Sequence, residues 1–391
     1  MKLKALISSL FLTLTAVASN YDVVAIVWPA YQPEPRWKEL GIFNHGNGEW
    51  QNVYEAIPKF KGHQQPIVPL WGYENEADPI VVARKIDAAL ASGINVFMYD
   101  WYWYGGRPFL ENALNDGFLK APNNERMKFF LMWANHDVDR LWDNKVYGKK
   151  KSEVVWSADV SYEEFTKVLV PRFIEYFKKP NYYKIANKPL FALFETGNFV
   201  RGIGSPEKAK QALDYMRQEC KKAGFDGFHL MSMSYRGEPE APVPNNAKPD
   251  GKAISQYYQF DSMSMYNWTW PWNEGYKKWR SDAMAKWESY KNNFGVFFPN
   301  ISMGWDNNPR YPIQKTIPIC ERNPAEYEKS LRMAKAWADK NIPEGMPKMI
   351  FINAWNEWTE GEYLEPDTRN GYDFLNATAR VFGGCGQATE K

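Results

Sequence analysis

Eight short apolar runs recur along the chain, each bounded by polar or turn-forming residues, and each reads as a buried strand. They span residues 23–28, 94–99, 129–133, 190–194, 228–233, 262–266, 296–303 and 349–353. Between them the apolar positions switch to a helical spacing. Asp78-Pro79 sets an N-cap with proline at the first helical position, Val82, Ile86 and Leu90 follow four apart, and Gly93 ends the segment. Ser161 with Glu164 forms a capping-box pattern ahead of the stripe Phe165, Leu169, Phe173 and Tyr176, which Pro171 should kink or restart. Ser205-Pro206 opens a helix with Ala209, Leu213, Met216 and Cys220 on one face. Tyr276, Trp279, Ala283, Trp287 and Tyr290 keep helical spacing, as do Tyr327, Leu331, Ala334 and Ala338 after Asn323-Pro324. Residues 372–382 form a last amphipathic segment.

Strands alternating with helices imply a parallel sheet. Eight of them, with no low-complexity linker, favour an α/β fold of one domain over residues 20–391: a single (β/α)8 TIM-type barrel, with a doubly wound open sheet as the alternative. Two connections, 29–76 and 236–252, are long for ordinary loops. They are expected to decorate the C-terminal face of the strands, with Glu49-Trp50 folding over the mouth.

Composition narrows the class. Residues 1–19 carry Lys2 and Lys4, then an apolar run, then small residues, the pattern of a cleavable signal peptide. No cysteine follows that run, so export to the periplasm or the medium is expected rather than lipid anchoring. The formal net charge of +2 rests on the two leader lysines, so the mature chain is balanced and has no footprint for nucleic acid or stable membrane insertion. Three widely spaced cysteines and four histidines give neither a disulfide framework nor a metal pattern, and no cofactor is indicated. The distinctive feature is 18 Trp, 23 Tyr and 23 Phe, flat rings that suit the C–H faces of sugars.

The last strand runs directly into chemistry. After Met349-Ile350-Phe351-Ile352 come Glu357, Glu360, Glu362 and Glu365, interleaved with Trp355, Trp358 and Tyr363. On an extended chain Glu357 and Glu360 would sit about 10 Å apart on opposite faces. A helical turn after Glu357, eased by Gly361, would bring them to roughly 5–6 Å, a working carboxylate pair beside a Trp358 wall. The other strand ends supply Trp28 and Tyr31, Asp100, Trp101 and Tyr102, Trp133, Asn135 and His136, Glu195, Tyr266 and Trp268, Trp305, and Asn356. Together with Glu49 and Trp50 these are the candidate substrate contacts, because aromatic rings beside amides and acids suit a polyhydroxylated ligand. No glycine-rich phosphate cradle and no cluster of basic residues is present.

With these residues in view, the sequence resembles the glycoside hydrolase family 99-like, or WbsX-like, group, which is related to endo-α-mannosidases. The likeness runs through Trp28-Pro29-Ala30-Tyr31-Gln32-Pro33, Gly48-Glu49-Trp50, Gly62-His63-Gln64-Gln65-Pro66, Asp100-Trp101-Tyr102-Trp103-Tyr104 and Met132-Trp133-Ala134-Asn135-His136. It is most specific at Asn353-Ala354-Trp355-Asn356-Glu357-Trp358-Thr359-Glu360-Gly361. The resemblance implies a (β/α)8 barrel that cleaves glycans with retention and without metal. It also implies Glu357 as a base acting on the sugar 2-hydroxyl to give a 1,2-anhydro intermediate, and Glu360 as general acid, then base. A covalent glycosyl-enzyme through Glu357 is the other retaining route. Two rival functions stay open: a non-catalytic glycan-binding barrel, and a glycosyltransferase of polysaccharide biosynthesis.

Overall fold

Val23-Val24-Ala25-Ile26 and Met349-Ile350-Phe351-Ile352 are apolar at consecutive positions, so both faces of each strand need cover, as parallel strands wrapped by helices provide. The computed structural model describes residues 20–43, 46–138, 154–246 and 248–383; the expected signal peptide lies outside them. Eight barrel strands form: β1 (Asp22–Val27), β2 (Val96–Tyr104), β3 (Lys128–Trp133), β4 (Lys188–Leu193), β5 (His229–Ser234), β6 (Ser262–Met265), β7 (Asn300–Ser302) and β8 (Met349–Asn353). All pair in parallel in the order β6-β5-β4-β3-β2-β1-β8-β7. The remaining seam, β6 to β7, closes at one bridge, where Met263 N donates to Val296 O and Phe298 N to Met263 O, both at 2.9 Å. Pro299, with no N–H to offer, interrupts the long strand expected over 296–303 and confines β7 to three residues. The barrel is nearly closed.

β2 is longer than its apolar core. It runs to Tyr104 and reverses at Gly105-Gly106, whose φ values of 58° and 75° fit a tight hairpin turn, into an antiparallel return at Arg107–Phe109. Asp100, Trp101 and Tyr102 therefore lie on a strand and not in a loop.

The expected N-caps form: Asp78, Ser161, Ser205 and Asn323 each accept from a backbone N–H of the first turn. The capping box at Ser161 is only half made, because the Glu164 carboxylate instead accepts from Trp103 Nε1 at 2.7 Å. Pro171 does not break its helix. The backbone widens into a π turn at Phe165–Leu169 and resumes as α at Val170–Phe177, relieving the clash the ring would make with the preceding turn. The helix expected through 276–290 divides into Tyr276–Ala285 and Trp287–Phe294.

One side chain on helix Pro79–Ala91 fixes the site block from behind. Lys85 is buried with its Nζ 2.6 Å from both Glu76 and Glu365. Glu76 accepts from Asn356 Nδ2 at 2.8 Å, and Glu365 accepts from Trp358 Nε1 at 2.8 Å. Replacing Lys85 by Met leaves two carboxylates buried without their cation. It should lower unfolding free energy by ~3 kcal/mol, read as a fall in the denaturant midpoint at unchanged slope.

Candidate functional site

Side chains alternate across a strand, so on β2 Asp100 and Tyr102 face the barrel mouth while Trp101 and Trp103 face the surrounding helices. At the end of β8 the chain makes a second, smaller ribbon: Asn356–Glu357 pairs antiparallel with Glu362–Tyr363 across a 3-10 turn, Trp358–Glu360. Gly361 closes that turn at φ 70°, and a Cβ there would stand 2.9 Å from Asp306 N. The turn brings Glu360 back over Glu357, so that both carboxyls engage one guanidinium and each acts electrostatically on the other.

Between and beneath them lies Arg310. Its Nε is 2.7 Å from Glu49 Oε1 and its Nη2 is 3.3 Å from Glu357 Oε1, while Nη1 pairs with Glu360 Oε1. The guanidinium also sits 5.6 Å from the Trp28 ring, whose Nε1 donates to Glu49 Oε2 at 2.6 Å. The turn that carries Arg310 is fixed by Asp306, which accepts from Asn308 N, Asn308 Nδ2 and Gln65 Nε2 and contacts His63 Nε2 at 2.8 Å. Lys59 Nζ donates to the carbonyls of Asn308 and Tyr311, both at 2.7 Å. The long first connection thus braces the turn that carries Arg310.

Burial, then the neighbouring Glu357, push the Glu360 carboxyl well above its usual range against the pull of Arg310. Burial also raises Glu357, but Arg310 and a 2.8 Å hydrogen bond from Tyr266 oppose it. Of the two, Glu360 is the better placed to hold a proton, and Glu357, with Arg310 and Tyr266 donating to it, the better placed to stay ionised. Glu360 keeps 15% of its side chain exposed against 5% for Glu357, which makes it the more reachable of the two from the opening.

That opening is a cavity of about 850 Å³. Of the residues singled out from the sequence, its wall holds Glu357 and Glu360 with Trp28, Asp100, Tyr102, His136, Glu195, Tyr266, Trp268 and Trp305. Burial lowers the His136 imidazole pKa, favouring its neutral form, and burial raises the Glu195 carboxyl. The other candidates stand behind the wall. Trp101 turns outward on β2 to donate to Glu111 at 2.7 Å, and Trp133 packs on Phe165, Phe173 and Phe199. Asn135 clasps the backbone of Glu195, accepting from its N and donating to its O at 2.8 Å each. Tyr31 accepts from Trp358 N, and Asn356 fastens Trp28 through its N and O. Trp358 stacks on Tyr363 at 3.7 Å and offers the cavity no face. Glu49 and Trp50 do not fold over the mouth: both are buried, Glu49 against Arg310 and Trp50 against Tyr31 and Trp358.

Among the cavity residues that escaped the sequence reading are Trp270, Trp272 and Arg310. Trp270, 54% exposed, sits edge-on to Trp272 at 4.3 Å, and Trp272 lies 4.8 Å from Trp305, extending an aromatic shelf along one wall. The cluster Trp268-Thr269-Trp270-Pro271-Trp272 was a visible signal for it. Arg310 was not legible, since a single arginine among polar residues reads as a solvated charge.

A family model described as glycosyltransferase WbsX matches residues 23–378. Two curated relatives, both described as uncharacterized protein WxcX, come from Xanthomonas campestris pv. campestris, one of strain B100. Each is 27% identical over 370 residues, 92% of this chain and 49% of the relative, so the chain spans about half the length of the curated relatives it matches. Among solved structures, a glycoside hydrolase-like protein superposes with a TM-score of 0.57 at 14% identity, covering 93% of this chain and 94% of its own. The GH99 endo-alpha-mannosidase from Bacteroides thetaiotaomicron gives 0.52 at 14% identity over 92% and 96% of the two chains. These likenesses concern the fold.

Proposed function

We propose, from the premise that this chain belongs to the WbsX family, that it is an exported, retaining glycoside hydrolase acting on a polysaccharide or oligosaccharide. The observation that carries the reading is the pair Glu357–Glu360, two carboxyls held on one guanidinium at the floor of an aromatic-walled cavity. Glu360, neutral and the more exposed, protonates the leaving glycosidic oxygen. Glu357, ionised, takes the proton of the sugar 2-hydroxyl or attacks the anomeric carbon itself. Glu360, now a carboxylate, then draws a proton from the water that opens the intermediate. Inverting enzymes need about 6.5–9.5 Å between their carboxyls to seat a water, and retaining ones about 5–5.5 Å. Two carboxyls gathered on the single Arg310 guanidinium leave little room for a water between them, which supports retention.

The family's description favours a second reading, a glycosyltransferase. Against it stands the engagement of Arg310 by three glutamates, which leaves that cation no role as a clamp for nucleotide phosphates. Export, part of the same proposal, is checked by N-terminal sequencing of the secreted chain, which should begin near residue 20.

Glu360→Gln separates the roles. It should lower kcat/KM about 10²–10⁴-fold on unactivated glycosides, and far less on aryl glycosides whose leaving group needs no proton. Equal losses on both would remove the acid role from Glu360.

A further inference from the structure

The Tyr266 hydroxyl lies 2.9 Å from Asp100 Oδ2 and 2.8 Å from Glu357 Oε2. A phenol carries one proton, and an ionised carboxylate only accepts. Two anions cannot both be satisfied by a single hydroxyl, so one of the two acids must itself be a donor. Their surroundings decide which. Glu357 faces the Arg310 guanidinium, 3.3 Å away. Asp100 is 4% exposed, no ion pair among the described residues reaches it, and its second oxygen, Oδ1, is buried without a hydrogen-bond partner. An orphaned carbonyl oxygen of a neutral acid is far less costly to bury than an orphaned carboxylate oxygen.

We infer that Asp100 is a neutral carboxylic acid that donates to the Tyr266 oxygen and so aims that hydroxyl's only proton at Glu357. The titratable groups around it are consistent. Tyr102 on its own strand, Tyr266 at the end of β6, and Glu357 and Glu360 on the β8 turn are all acids or phenols. Burial first, and Glu357 second, hold the Asp100 carboxyl well above its usual range. Burial and the same acids push the Tyr266 phenol up as well, so a tyrosinate is not the resolution. The chain of donors runs Asp100 to Tyr266 to Glu357, and Asp100 is a positioning residue. The proton assignment stands on geometry; only its use in catalysis rests on the hydrolase reading. In that use, a neutral Asp100 keeps a further negative charge away from the Glu357–Glu360 pair and holds Tyr266 on the base. Ionising it would turn the Tyr266 hydroxyl toward Asp100 and strip Glu357 of that contact.

The test needs no substrate. In protein labelled with ¹³C at aspartate carboxyls, the infrared spectrum at about pH 7 should contain a protonated-carboxyl band that shifts with the label. That band should vanish in Asp100→Asn and move in Tyr266→Phe, where its donor loses the acceptor. Absence of a labelled band, or one that neither variant alters, overturns the assignment. Stability gives a second readout. Because the folded carboxyl titrates above the unfolded value of about 3.9, wild-type stability falls as pH rises past that value while the asparagine variant is spared. The Tm of Asp100→Asn relative to wild type should therefore climb by several degrees from about pH 4.5 to about pH 8. A difference that stays flat or falls would mean an ionised Asp100. Neither readout uses activity, so failure here is distinguishable from failure of the glycosidase proposal.

Discussion

Glu357→Gln should lower kcat/KM by at least ~10⁴-fold on any glycan the wild-type protein cleaves, through kcat rather than KM. Glutamine fills the same volume, and its amide oxygen can still accept from Tyr266, so folding and the cavity wall should be preserved. What disappears is the carboxylate charge. The amide neither accepts the 2-hydroxyl proton nor attacks an anomeric carbon, so both retaining routes fail together. A loss confined to KM would instead make Glu357 a binding group. The measurement is steady-state kinetics with the variant's Tm alongside, to separate lost chemistry from lost fold.

The second large effect is on stability. Among the described residues Arg310 is the single cation paired with Glu49, Glu357 and Glu360, and it brings together parts of the chain 261 residues apart. Arg310→Met should cost ~5 kcal/mol, the upper end for breaking a buried ion pair, because uncompensated carboxyls remain behind. Those carboxyls can relieve their repulsion by taking up protons, so the penalty should be smaller in acid and grow toward neutral pH. Denaturant unfolding at both ends of that range checks it. Arg310→Lys keeps the charge but loses the planar fork that reaches three partners at once, and should recover only part of the loss. A penalty below ~1 kcal/mol would place Arg310 among solvated surface pairs instead.

Much of the architecture could be read from the chain because it rests on local rules. Several barrel strands are apolar at consecutive positions, and Asp78, Ser161, Ser205 and Asn323 cap helices where their side chains can reach backbone donors. The turn that folds Glu360 over Glu357 was also foreseeable, since Gly361 permits the φ of 70° it requires. What failed were inferences about facing. Trp101 was expected in a loop because the apolar run pauses at Asp100, but β2 continues, and strand alternation then sends Trp101 outward to Glu111. Trp133, at the end of β3, obeys the same parity. Trp50 and Trp358 looked like sugar platforms for want of any visible partner, yet they pack on each other at 5.6 Å. Glu49 and Arg310 illustrate the deeper limit. Each is an ordinary surface residue by composition, and only the nearly closed barrel with its long first connection makes them a buried pair.

The most direct measurement is release of reducing ends from mixed plant, yeast and bacterial glycans, with wild-type protein and Glu357→Gln assayed side by side. New reducing ends with the wild type and almost none with the variant are the expected result. Glycan binding by the wild type without new reducing ends, or equal release by both proteins, would contradict a catalytic carboxylate pair at the barrel mouth.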